Sequence, residues 1–260
     1  MQLKDLKIIL SLAISDFKKR FVGSYFGILW MFLQPLSTVA IYTFVFQIGF
    51  KAVPPVANIP YVLWLLPGII PWFYFQENVL QGTNVLYEYQ FLVKKVVFNT
   101  SYLPIIKLIS TFFAHLCFLA ILFIIMIIYN KGISIKYLIS LYYSFSLSIF
   151  SLAITYITGS INVFFKDMLQ IVSIGLNFGM WMTPIMYSET IFINNHQLIL
   201  KLLRLNPLFY IVKGYRSVFV NETFEYFITN TIYFWCFTLV LLFIGIRIFN
   251  KLKNHFSDVL

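Results

Sequence analysis

The sequence predicts an all-α polytopic membrane protein: six transmembrane helices, an N-terminal interfacial helix, and an outer re-entrant helix pair between spans five and six. Three observations predict it. Of the 260 residues, 60% are hydrophobic and 11% charged, against roughly 45–50% and about 25% in soluble domains. The apolar residues gather into six runs of about the 20 residues that a helix needs to cross a bilayer core. The charged residues, nineteen Lys and Arg against nine Asp and Glu, cluster at the ends of those runs, as membrane proteins require. An ordinary water-soluble enzyme and a disordered chain are excluded. The net charge of +10 reads as membrane topology, so no nucleic-acid partner is expected.

Residues 1–27 read as a cytoplasmic amphipathic segment. Leu3, Leu6, Leu10, Ile14, Phe17 and Phe21 share one helical face, suited to lying in a membrane interface. Residues 28–260 form a single transmembrane domain, with spans expected at 28–50, 62–81, 105–129, 137–165, 168–187 and 227–249. The second contains Pro67, Gly68 and Pro71. Proline is tolerated there when neighbours satisfy the freed carbonyls, so this span is expected to be kinked and packed inside protein.

In the connection at 84–99, Leu86, Tyr89, Val93 and Val97 share a helical face beside Lys94 and Lys95. Such a face needs a membrane surface or a partner protein. A tighter connection carries Lys166-Asp167. The segment after span five is too long for a hairpin. Its apolar runs at 198–205 and 208–220 are too short to span comfortably, and Asn206-Pro207 between them suits a helix start. Lys213 and Arg216 fall on one face of the second run. Each is expected at the outer interface, because a charge at the hydrocarbon centre costs roughly 2.5–3.5 kcal/mol on insertion scales.

Twelve of the nineteen basic residues fall in segments that are cytoplasmic if the N-terminus is inside. Both termini are therefore expected in the cytoplasm. Lys18-Lys19-Arg20 precedes a full-length apolar run, with no cleavable signal evident.

The sequence has no G-x-x-x-x-G-K-[ST] phosphate loop, H-E-x-x-H or G-x-S-x-G motif, so no catalytic residue, metal or bound cofactor is expected in this chain. Cys117 and Cys236 lie inside apolar runs and read as buried structural thiols. His115, His196 and His255 are far apart; His115 reads as a packed, satisfied histidine. Glu77 is the one carboxylate within an expected span and reads as a helix-end residue. That scarcity argues against a proton-driven pump.

Three stripes mark the spans. Ser144, Ser148, Ser151, Thr155, Thr158, Gly159 and Asn162 lie on one face of the fourth and read as a packing seam. Gln170, Ser173, Asn177, Trp181, Pro184 and Ser188 mark the fifth, which fits a pathway, a subunit interface or intramolecular packing. Trp30, Gln34, Ser37, Thr38, Tyr42 and Phe46 form a mixed face on the first. Aromatic rings and polar tips are the chemistry that holds sugars, and rings also gather at membrane interfaces. The pathway candidates are Tyr42, Phe46, Asn177 and Trp181.

Three stretches carry a resemblance: PWFYFQENVLQGTNVLYEYQFLVKKVVF at 71–98; VFFKDMLQIV at 163–172 with MTPIMYS at 182–188; and NPLFYIVKGYRSVF at 206–219. With the ending KLKNHFSDVL, they make the chain resemble the permease subunit of type-2 ABC exporters of polysaccharides (O-antigen, capsule or teichoic acid). Asn99 stands where that family usually has Pro. The resemblance implies a homodimer in the bacterial cytoplasmic membrane, working with two copies of a separate P-loop ABC ATPase that carries ATP and Mg. It implies a lipid-linked glycan as substrate, entering from the inner leaflet. It makes Tyr89, Val93, Lys166 and Asp167 coupling residues, and places an outer gate at Asn206, Pro207, Tyr210, Lys213 and Arg216. Alternatives are the same scaffold carrying a drug or lipid, and a membrane-embedded glycosyl- or acyltransferase, for which carboxylates and histidines are scarce.

Overall fold

The computed structural model describes residues 3–20, 22–23, 25–94, 98–130, 132, 134–192, 197–224 and 227–260. Phe21, Lys95, Val97 and His196, which entered the sequence reading, lie outside the described residues. The described chain is all-helical: α1 (Leu3–Lys19), α2 (Trp30–Tyr42), α3 (Tyr61–Glu88), α4 (Gln90–Val93), α5 (Leu103–Asn130), α6 (Ile139–Phe164), α7 (Met168–Met182), α8 (Gln197–Leu205), α9 (Pro207–Phe219), α10 (Phe227–Leu252) and α11 (Phe256–Val259). A π-helical turn, Thr43–Gly49, continues α2.

Among the described residues, four helices are long and apolar enough to cross a membrane: Gly27–Gly49, Thr100–Tyr129, Ile135–Phe164 and Phe227–Val259. The other two expected spans fall short for different reasons. α3 has 28 residues, but its prolines and the polar residues from Gln76 onward dilute its apolar content. α7 has 15 residues, a rise of about 22 Å against a core of about 30 Å.

α3 and α6 form the centre. α3 is buried along most of its length, including Pro67, Gly68 and Pro71, in keeping with a helix packed inside protein. Gly82 and Gly159 set the spacing: a Cβ on Gly82 would stand 2.3 Å from Thr155 Cγ2, and one on Gly159 would stand 3.1 Å from the Gly82 carbonyl. The small residues of the fourth-span stripe therefore form the seam the sequence indicated. Thr158 bonds Thr83 at 2.7 Å, Ser148 bonds Tyr74 at 2.8 Å, and Asn162 donates to the Thr83 carbonyl at 3.1 Å.

The end of the bundle holding both termini has its own core, in which Ile9 and Ala13 of α1 meet Val93, Ile106, Phe249 and Phe256. α1 docks on α5 through Ile9, Ala13 and a buried Asp16, and leaves Leu6, Leu10 and Ile14 of the expected apolar face exposed. One expectation is corrected here. Val93, expected to need a partner protein, is covered by α1 and α11. The two cysteines are also corrected: both are exposed on the surface of the isolated chain. At Asn99, the side chain accepts the Ser101 N–H at 3.1 Å and caps the turn into α5.

Candidate functional site

Polar faces of α2, α3, α5 and α7 converge on a cavity of about 1180 Å³. α2 contributes Trp30, Gln34, Thr38 and Tyr42, and α7 contributes Gln170, Ser173 and Asn177. These belong to two of the three stripes seen in sequence. Tyr42 reaches from α2 to α7, its hydroxyl 3.6 Å from Met180 Sδ. α3 adds Glu77, Gln81, Asn84 and Glu88, whose spacing of four, three and four puts them on one helical face. That stripe escaped sequence reading because it runs past the assumed end of the span.

The cavity ends in a cluster of charges. Arg20 pairs with Glu77, lies 3.5 Å from Asp16 and donates to Ser110 at 3.0 Å. Lys107 bridges Asp16 and Glu88, each at 2.8 Å, and Tyr89 donates its hydroxyl to Asp16 at 2.6 Å. Burial alone pushes the Asp16 carboxyl up. The Lys107 charge and hydrogen bonds from Lys107, Ser110 and Tyr89 outweigh it and hold the group below its ordinary value. Glu77 is thus an ion-paired wall residue rather than a simple helix-end residue. Among the described residues, no group of three or more His, Cys, Asp and Glu side chains is placed to hold a metal.

Of the pathway candidates, Tyr42 and Asn177 line the cavity and Phe46 and Trp181 do not. Phe46 stacks on Tyr61, centroids 6.2 Å apart. Trp181 lies exposed on the bundle surface. Of the coupling candidates, Tyr89 and Val93 face into the chain. Lys166 and Asp167 are exposed, with the Lys166 ammonium 5.6 Å from the centre of the Tyr87 ring.

α9 lies at the opposite end of the bundle, buried against α3 and α6. Asn206 caps it, accepting the Leu208 N–H at 3.0 Å and donating to Thr183 at 2.8 Å. Pro207 occupies the first turn, and the Tyr210 hydroxyl bonds that of Tyr142 at 3.0 Å. Lys213 and Arg216, expected at the outer interface, are both buried within the chain. Lys213 pairs with Glu189 and Glu222. The Arg216 guanidinium lies 3.5 Å from the Trp64 ring centre and donates to the carbonyls of Pro184 and Ile185. Gly68 makes room for it, since a Cβ there would stand 3.0 Å from the guanidinium. Paired carboxylates and carbonyls compensate charges that would otherwise have to reach water.

No family model matches the chain. Over 94% of its length it is 27% identical to an O-antigen export system permease protein RfbA of Klebsiella pneumoniae, and 28% identical to a second protein of that name and organism; 92% of each relative is covered. It is 25% identical to the O-antigen export system permease protein RfbA of Myxococcus xanthus, over 83% of this chain and 81% of that one. The chain is thus similar to export permeases nearly from end to end.

Proposed function

We propose that this chain is the permease subunit of an ABC transporter that exports a lipid-linked O-antigen across the bacterial cytoplasmic membrane. The near end-to-end similarity to proteins of that name supports the reading. The observation that carries it in the structure is the convergence of α2, α3, α5 and α7 on one cavity walled by amides, hydroxyls and aromatic rings. Such groups suit a neutral, hydroxyl-rich cargo.

In this reading the chain crosses the membrane six times, with both termini in the cytoplasm. α3 and α7 complete the count; α3 is sheltered by its neighbours and α7 is prolonged by the turns after Met182. α8 and α9 form a re-entrant pair on the outer side, and α9, with Asn206, Pro207, Tyr210, Lys213 and Arg216, is the gate. The span Gly27–Gly49 is barely covered within one chain, which fits a second copy closing the cavity as a homodimer. ATP and Mg belong to two copies of a separate ATPase, docked where Lys166 and Asp167 are exposed beside Gln90, Phe91 and Lys94. Tyr89 and Val93 act from behind that surface, fixing it to α1 and α11.

The test is export. Cells deleted for this chain are expected to lose surface O-antigen and regain it on re-expression, and the tagged chain is expected to co-purify with a P-loop ATPase. Unchanged surface O-antigen in the deletion strain overturns the reading.

A further inference from the structure

The charge cluster at the end of the cavity shows the two signs unequally. It holds three carboxylates, Asp16, Glu77 and Glu88, against two cations, Arg20 and Lys107. All but Asp16 line the space. The cations lie deep: the Lys107 side chain is 2% exposed and that of Arg20 15%. The carboxylates of the wall stand forward, Glu77 at 36% and Glu88 at 44%.

The sharing of the cations decides where the excess charge sits. Asp16 is buried and takes the Lys107 ammonium at 2.8 Å and the Tyr89 hydroxyl at 2.6 Å, with Arg20 3.5 Å away. Glu77 takes the Arg20 guanidinium and accepts from the Gln81 amide at 3.0 Å. Among the described residues, Glu88 is left with a share of Lys107, at 2.8 Å, which it divides with Asp16. The uncompensated negative charge therefore falls on Glu88, the most exposed of the five groups. Gln81 and Asn84 lie between the two glutamates in the same wall, so the charge is set in a face that otherwise offers amides.

We propose that Glu88, helped by Glu77, is the specificity-determining residue that restricts the cavity to glycans whose repeats carry no negative charge. That the cargo is a glycan rests on the proposed function; the sorting by charge rests on the wall itself. An ionised carboxylate accepts hydrogen bonds and donates none, so it takes the hydroxyl hydrogens of a neutral sugar. A phosphate, sulfate or uronate group meets it with like charge, which suppresses the wrong partner. The cations that would attract such groups are occupied and lie behind the carboxylates. A single charge at one end of a chain meets this field once, whereas a charge in every repeat meets it throughout passage.

Glu88→Gln tests this without stranding a buried charge, since Lys107 keeps Asp16. O-polysaccharide released from the same cells is labelled with a fluorophore, and its binding to the purified permease–ATPase complex is measured by fluorescence anisotropy. Three forms are compared: native, partly sulfated, and acetylated to the same degree, which adds bulk without charge. The unaltered complex is expected to bind the sulfated form about tenfold more weakly than the acetylated one, and this gap is expected to shrink as ionic strength rises. Glu88→Gln is expected to bring the two forms within about twofold of each other and to leave binding of the native form within about threefold. Asp258→Asn, which removes an exposed negative charge away from the cavity, is expected to keep the gap. Equal binding of the sulfated and acetylated forms by the unaltered complex overturns the inference. So does a gap that survives Glu88→Gln or is lost in Asp258→Asn, and so does a native O-polysaccharide with an anionic group in each repeat. A complex that supports export in cells yet binds none of the three forms overturns it as well. Surface O-antigen that survives deletion of the chain overturns the proposed function instead.

Discussion

Asp16 and Lys107 lie 2.8 Å apart, each 2% exposed, and join the N-terminal helix to the start of α5. Breaking a buried pair by removing one partner is expensive, because the other charge remains. Lys107→Met is expected to destabilise the chain by about 3 kcal/mol, and Asp16→Asn combined with Lys107→Met to recover part of that loss. The measurement is thermal unfolding in detergent as a double-mutant cycle.

The same carboxyl sets an acid limit. Its value in the folded chain is lowered, so its contribution is full above the ordinary carboxylate range and is lost as pH falls through the folded value. Asp16→Asn is expected to lower the melting temperature at pH 7. That difference is expected to shrink as pH falls through the folded value, below which the native residue is also neutral. A difference that stays constant with pH would assign the effect to packing.

Tyr42 and Asn177 line the cavity, whereas Phe46 and Trp181 stand outside it. In a background with Cys117 and Cys236 replaced by Ser, a cysteine at Asn177 is expected to react with a water-soluble maleimide. One at Leu176, which is buried, is expected to stay unreacted. Tyr42→Ala is expected to lower export per molecule more than Trp181→Ala does; the reverse order would move the pathway to the exposed face of α7.

Val93 and Phe91 lie two residues apart and differ in exposure, 7% against 69%. Val93→Asp puts an unpaired charge among Ile9, Ile106 and Phe256, a cost of several kcal/mol, and is expected to lower thermal stability. Phe91→Asp is expected to leave stability unchanged and reduce co-purification of the ATPase. Equal ATPase recovery from Phe91→Asp and the unaltered chain would remove this segment from the docking surface.

Arg216 makes contacts that a lysine cannot reproduce: a flat stack on Trp64 and a fork to two carbonyls. Arg216→Lys is expected to cost about 2 kcal/mol or more and to reduce export with it. A cysteine at Lys213 is expected to resist external labelling, while one at Leu198, 73% exposed, reports which side of the membrane α8 faces.

Local pattern made much of this legible. Asn206-Pro207 marks the start of α9, and the small residues from Ser144 to Asn162 mark the seam where α6 meets α3. The stripes of Gln34, Thr38 and Tyr42 and of Gln170, Ser173 and Asn177 each pointed to a polar face, although only the fold shows that they look onto one space. Pairing across the chain was illegible. A helix face is ranked by its apolar residues until a distant group compensates its charge. Lys107 buries Asp16 on the docked face of α1; Glu189 and Glu222 bury Lys213. His115 read as satisfied, and nothing in the sequence shows that its partners, Ser144 and Tyr215, both lie at Nε2.

The absent side chain of Gly82 divides the labour between the walls of the cavity. α3 sits so close to α6 at this point that sliding either helix would drive the Gly82 backbone into Thr155, and the Thr83–Thr158 and Asn162–Thr83 bonds would have to break together in a dry seam. α3 and α6 therefore behave as a stator. α2 has no comparable lock: none of its residues is buried, and the bond it makes to α7 is a soft one, at a methionine sulfur. Any widening of the bore falls to α2, which swings like a leaf on a fixed post.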